Sequence, residues 1–80
     1  MMAMSEINEG DTFSDPKRRE LGALSGLEWV VIEKDEKENM IRVQAMSTID
    51  GSPFRQPIWK KISDSMFCES WRVYTQQQCS

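Results

Sequence analysis

The sequence predicts an all-β domain built from five short strands. Three observations carry that prediction. β-branched and aromatic residues dominate "LEWVVIEK" at 27–34. "MIRVQAM" at 40–46 alternates, with Ile41, Val43 and Ala45 on one face and Arg42, Gln44 and Met46 on the other. The segments between such runs carry glycine, proline, aspartate and serine, and leave no room for a long helix.

Eighty residues make one small domain, whose core is modest without further staples. Apolar residues at 39% and charged residues at 29% suit a folded globular chain. The expected domain runs over 10–75. The methionine-rich, aperiodic residues 1–9 and the polar residues 76–80 are expected to be loose tails.

Within the domain, "GDTFSD" at 10–15 suits a short first strand with Phe13 inward. "PKRRELGALSG" at 16–26 reads as a long irregular loop, with room for one helical turn around Arg18–Leu21, pinned to the core by Leu21 and Leu24. The strand at 27–34 follows. "DEKEN" at 35–39 has turn chemistry and joins it to 40–46 as a hairpin with an acidic tip. "STIDGSPFRQ" at 47–56 is a second loop. "PIWKKI" at 57–62 is a fourth strand, with Ile58 and Ile62 on one side and Trp59 and Lys61 on the other. "SDSMF" at 63–67 fits one 3₁₀ turn, and "SWRVYT" at 70–75 closes the set. The expected core is Phe13, Leu27 or Trp29, Val31, Ile41, Val43, Ile58, Ile62, Phe67 and Trp71.

Short strands at this spacing suggest a small barrel or sandwich. "GDTFSD", the loop "PKRRELGALSG" and the turn "KISDSMF" together resemble the SH3-like barrels. There a long loop follows the first strand and a 3₁₀ turn links the fourth and fifth. The resemblance covers element order over 10–75 and implies a small five-stranded barrel in which strands four and five are neighbours. The "ALYDY" opening and "WW" pair of proline-peptide-binding SH3 domains are not in this chain. The stripped-down form is similar to small accessory proteins of phages and mobile elements, which implies an accessory or inhibitory role on a host protein.

The chain offers little to catalysis. It has no histidine, and its cysteines, Cys68 and Cys79, read as free thiols. Asp11, Asp15, Asp50 and Asp64 lack metal-loop spacing, and the scattered glycines form no phosphate cradle, so neither metal nor cofactor is expected. The first residues lack the basic and apolar regions of a secretory signal. The longest aliphatic-aromatic run, Trp29–Ile32, is too short to span a bilayer. A cytoplasmic, non-enzymatic protein is the expectation.

Charge is unevenly placed. Residues 1–40 carry ten acids and five bases, whereas 41–61 carry Asp50 against Arg42, Arg55, Lys60 and Lys61. The stretch from Gln56 to Tyr74 adds two of the three tryptophans and the single tyrosine. If strands four and five adjoin, Trp59 and Lys61 share an outer face with Arg72 and Tyr74, with Phe54 and Arg55 on the nearby loop. Arginine and aromatics together are what binding hot spots use. The competing reading covers Trp59 with a loop or tail. The acidic balance favours a basic or mixed-charge protein partner. Nucleic acid, held by the basic-aromatic segment 54–74, is the alternative. A homodimer with Trp59 in its interface is the third reading. The cluster "PKRRE" reads as solvated loop, with phosphate or an acidic protein surface as its functional alternative.

Overall fold

In the computed structural model, which describes residues 2–21 and 26–73, five strands form one antiparallel sheet. They are β1 (Thr12–Phe13), β2 (Leu27–Asp35), β3 (Met40–Ser47), β4 (Ile58–Lys61) and β5 (Arg72–Val73). A five-residue helix, α1 (Pro16–Glu20), follows β1, and 3₁₀ turns occupy Met4–Glu6, Ser65–Phe67 and Glu69–Trp71. The strand order is β4-β3-β2-β1-β5. The all-β class is as expected, but the sheet is not closed into a barrel. β4 and β5 stand at its two opposite edges. β5 and its neighbour β1 contribute only two residues each, so that side of the sheet is too short to reach round to β4. Among the described residues no helix is long and apolar enough to cross a membrane.

β3 is the strand that the sequence describes best. Ile41, Val43 and Ala45 are buried, and Arg42, Gln44 and Met46 between them are not. β2 pairs along its whole length but shifts register between Val31 and Glu33, leaving Ile32 as an extra, exposed residue. The bulge has a clear physical use. Strict alternation after Leu27, Trp29 and Val31 would aim Glu33 into the core. The shift instead sets Glu33 opposite Arg42, with Arg42 Nη1 3.4 Å from its carboxylate. Lys34 then falls opposite Ile41. Its apolar stem can lie against the core edge while its ammonium reaches Glu36 at 4.0 Å.

The expected loop after β1 contains α1. Asp15 caps it, accepting the Lys17 N–H at 2.9 Å, and Pro16 takes the first helical position. Five residues cannot hold a helix by themselves. Arg19 ties this one down by donating to the carbonyl oxygens of Ser70 and Arg72. Leu21 is 60% exposed and does not pin the loop to the core; Leu24 lies outside the described residues.

The core corrects the expectation of a loose N-terminal tail. Ile7 is fully buried and Met2 nearly so, and the Met2 N–H donates to the Phe67 carbonyl at 2.9 Å. The sheet has one apolar face and must cover it. Met2 and Ile7 from one end of the chain, and Met66 and Phe67 from the other, do so. Phe13 and Phe67 meet edge to face with centroids 5.4 Å apart. Of the remaining expected core, Phe13, Val31, Ile41, Val43 and Phe67 are buried, while Trp29, Ile62 and Trp71 flank the cluster. Ile58 is the exception. Register sets it opposite Val43, on the core face, but β4 is an edge strand and leaves it 40% exposed.

β5 also departs from expectation. Trp71 belongs to a 3₁₀ turn rather than to a strand over 70–75. A turn with three residues per repeat breaks the period of two. Register then places Arg72 opposite Phe13 and Val73 opposite Thr12, the reverse of the expected facing.

The loop after β3 folds back as a continuation of the sheet. Ser47 N–H donates to Ser52, Phe54 N–H donates to Ala45, and Met46 pairs with Pro53. Asp50 closes the turn, accepting the Ser52 N–H at 3.0 Å and its hydroxyl at 2.7 Å. Those bonds, to the Ser52 hydroxyl above all, favour the charged carboxylate and hold its pKa below the ordinary aspartate value.

Two outcomes follow from this packing. Truncating Val43 or Ile7 to alanine should each cost about 2–4 kcal/mol in chemical denaturation, while Ile58→Ala should cost less than ~1 kcal/mol. A loss within error at Ile7 would return residues 1–9 to a loose tail. Because the Asp50 pKa is lowered on folding, the support it lends the turn is complete above the ordinary carboxylate range. That support is lost as pH falls through the lowered value. An NMR titration of the carboxyl carbon should place the midpoint below that of free aspartate. The protection of the Ser52 amide, its exchange rate relative to that of an unstructured chain at the same pH, should fall over the same interval.

Candidate functional site

The sheet face is not covered evenly. The plug of Met2, Ile7, Met66 and Phe67 packs with Val31, Ile41 and Val43. Toward the half-buried Leu27 and Trp29 that cover gives way to two hollows. The larger, ≈ 500 Å³, is floored by Leu27, Trp29 and Ala45 and walled by Phe54, Arg55 and Arg18. The smaller, ≈ 230 Å³, lies between Trp71, Asp15 and the same Trp29, Leu27 and Arg18. Their three shared residues join them into one groove that runs from Trp71 to Phe54. The larger hollow is within the usual size of a ligand site.

Each wall has a local cause. Phe54 is held beside β3 by its backbone bond to Ala45. Gln44 Nε2 donates to the Arg55 carbonyl at 2.8 Å and fixes the next residue too. Arg55 adopts φ +70°, in the left-handed region that disfavours any side chain but glycine, and so turns the chain toward β4. Its guanidinium lies over the Phe54 ring, 5.2 Å from the centroid. On the other wall, α1 separates two adjacent arginines by about 100° of helix rotation. Arg19 goes to the carbonyls of Ser70 and Arg72, and Arg18 goes to the groove. At the far end, the Ser14 N–H donates to the Trp71 carbonyl at 2.7 Å and holds that tryptophan's backbone against the end of β1.

The expected six-residue face is divided three ways. Phe54 and Arg55 sit on the groove. Trp59 and Lys61 lie on the opposite, outer face of β4, where register sets Trp59 opposite Arg42 and Lys61 opposite Met40. Arg42 lies over the Trp59 ring at 6.0 Å, and the tryptophan stays 42% exposed. Arg72 is at the other edge of the sheet, bound to Asp11 at 2.7 Å in a part-buried pair. Four strand spacings, about 19 Å along the sheet, separate β4 from β5, so Trp59 and Arg72 do not share a surface. Tyr74 lies outside the described residues. The adjacency of strands four and five was the faulty step: β5 pairs with β1, and β4 pairs with β3.

Sequence reasoning missed Trp29, Trp71 and Arg18 as surface groups. The two tryptophans were assigned to the core because strand alternation cannot tell a buried ring from one that is half buried at the edge of a core. For Arg18, the cluster "PKRRE" reads first as solvated loop, with phosphate or an acidic protein surface as its alternative. The signal that could have placed it is "SDPKRRE", an aspartate cap followed by proline at the first helical position, which fixes where consecutive side chains point.

The arginines also differ in commitment. Arg19, Arg42 and Arg72 each have partners within the chain. Among the described residues, no carboxylate stands within ion-pair distance of Arg18 or Arg55. Asp15, the carboxylate on the groove, is engaged as the cap of α1. Cys68 sits between two 3₁₀ turns with its thiol donating to the Ser65 carbonyl. No protein-family model matches the chain, and neither a curated protein nor a solved structure does.

Proposed function

We propose that the chain is a non-enzymatic protein-binding module of SH3-like architecture that takes an extended segment of its partner in the groove between Trp71 and Phe54. The observation that carries the reading is the groove itself. An apolar and aromatic floor runs between two separately anchored walls, one on α1 and one on the loop after β3. Binding hot spots favour this combination of tryptophan and arginine at a concave site. The architectural part is supported by the meander of β1 to β4 with β5 crossing back to pair with β1, the long connection after β1 and the 3₁₀ turns before β5.

The outer face around Trp59, Arg42 and Lys61 is the competing surface, and its aromatic-cation pair suits a nucleic-acid base as well as a protein. The two surfaces lie on opposite sides of the sheet, so single substitutions separate them. Phe54 is 47% exposed and Trp59 is 42% exposed, so each alanine variant should lose less than ~1 kcal/mol of stability. A displayed library of random linear peptides should yield binders to the wild-type chain. Phe54→Ala should weaken those binders by about 2 kcal/mol, roughly thirty-fold, while Trp59→Ala leaves them unchanged. The opposite pattern would move the site to the outer face. Capture of a single-stranded oligonucleotide, with no peptide enriched, would replace the protein reading by the nucleic-acid one.

A further inference from the structure

We infer that the groove selects an acidic peptide, one that presents carboxylates on both sides of an apolar side chain. This rests on the groove being a peptide site and adds what kind of peptide it accepts. Arg18 on α1 and Arg55 on the opposite wall face the same hollow over an apolar floor of Leu27, Trp29 and Ala45. Among the described residues neither guanidinium makes an ion pair or a hydrogen bond, whereas Arg42 and Arg72 pair with carboxylates and Arg19 is held by backbone carbonyls. A guanidinium beside an apolar surface is best matched by a carboxylate, which it can meet with two parallel hydrogen bonds. The apolar floor between the two cations calls for an apolar side chain between two acids.

The backbone at Arg55 points the same way. A non-glycine residue at φ +70° is strained, and strain of this kind collects at ligand sites. Stacking over Phe54 keeps the guanidinium at the groove mouth instead of free in solvent. The groove also has a polarity. Asp15 lines the smaller hollow but not the larger, so acidic groups belong toward the Phe54 end and the uncharged part of the peptide toward Trp71.

Part of the chain's acidic charge stands away from the groove. Its acidic hairpin tip, Asp35 to Glu38, follows the far end of β2 from Leu27, about 26 Å away at ~3.3 Å per residue. Charges that far apart are beyond two screening lengths at physiological salt, at about 8 Å each.

The test uses three synthetic peptide libraries with a randomised apolar centre, flanked by glutamate, by glutamine or by lysine. The full chain is the bait, and fluorescence anisotropy of the selected peptides is the readout. The glutamate-flanked library should give the tightest binders, and their affinity should fall with added salt. Arg18→Glu and Arg55→Glu should each weaken them roughly tenfold, the size expected when an exposed attraction becomes a repulsion, and the double variant should prefer lysine flanks. Arg18→Lys and Arg55→Lys should keep most of the affinity. Far-ultraviolet circular dichroism of every variant checks that the fold survives. Equal binding by glutamine or lysine flanks, still lost in Phe54→Ala, would overturn the acidic preference and leave the peptide groove standing. Binding indifferent to Phe54→Ala, or no binding from any library, would overturn the groove itself. An oligothymidine that competes with the acidic peptide at equal concentration would overturn the choice of a peptide as the anion.

Discussion

The edge-to-face contact between Phe13 and Phe67 holds the two layers of this small fold together. Phe13 stands on β1, between β2 and the edge strand β5, and Phe67 ends the 3₁₀ turn that crosses the apolar face. A sheet this small has a single buried face and no second sheet to cover it. The cover is improvised from chain that is neither strand nor long helix: residues 2–7 and 62–71. These two segments are bound to each other as well, through Met2 N–H and the Phe67 carbonyl, so the ends of the described chain are stitched across the sheet. Without Phe67 at that position, Met2 and Ile7 would have nothing to pack on except the strands, and the cover would lose its middle.

The groove exists because that cover is finite. It reaches Val31, Ile41 and Val43 and leaves Leu27 and Trp29 half-buried beside the two hollows. A small domain cannot bury its whole apolar face, since its surface is large for its volume. What remains open is therefore apolar by construction. Recognition needs only polar groups added at the rim. α1 and the loop after β3 supply them, each rigid for its own reason: an Asp15 cap and an Arg19 tether on one side, an Asp50 turn and Gln44 bonds on the other.

How far the sequence reveals this depends on whether a feature repeats. β3 is legible residue by residue because burial alternates along it. β2 is legible as a strand but not past Val31, because a bulge leaves no mark in composition. Ile32 looks like one more apolar residue, and only the pairing partner of Glu33 shows what the bulge achieves. Met2 and Ile7 are invisible because two isolated contacts have no period. The binding residues divide likewise. Phe54 and Arg55 were legible as an aromatic-cation pair in a loop. Trp59 was legible as outward-facing, but which other residues share its surface depends on strand order, and strand order is a property of loops and edges that alternation does not encode. Trp71 was hidden by a 3₁₀ turn that sits in the middle of an apparently alternating run.

Under the proposed peptide binding, Trp29 and Trp71 would connect stability to binding. Each packs against the core cluster on one side and lines the groove on the other. Their rings are thus only partly dehydrated in the free chain. A ligand seated in the groove would complete their burial at about 25 cal/mol for each Å² of apolar surface removed from water. The same contacts hold the floor strand β2 and the turn before β5 in place, so occupancy and folding draw on one set of interactions. A ligand at a hundred times its dissociation constant stabilises the folded state by about 2.7 kcal/mol. For a domain of this size that is a large part of the whole, since marginal stability of about 5 kcal/mol is usual. The open end of the sheet therefore need not be read as a packing defect. If the proposed peptide site is right, it is the region where a partner would supply the missing apolar surface.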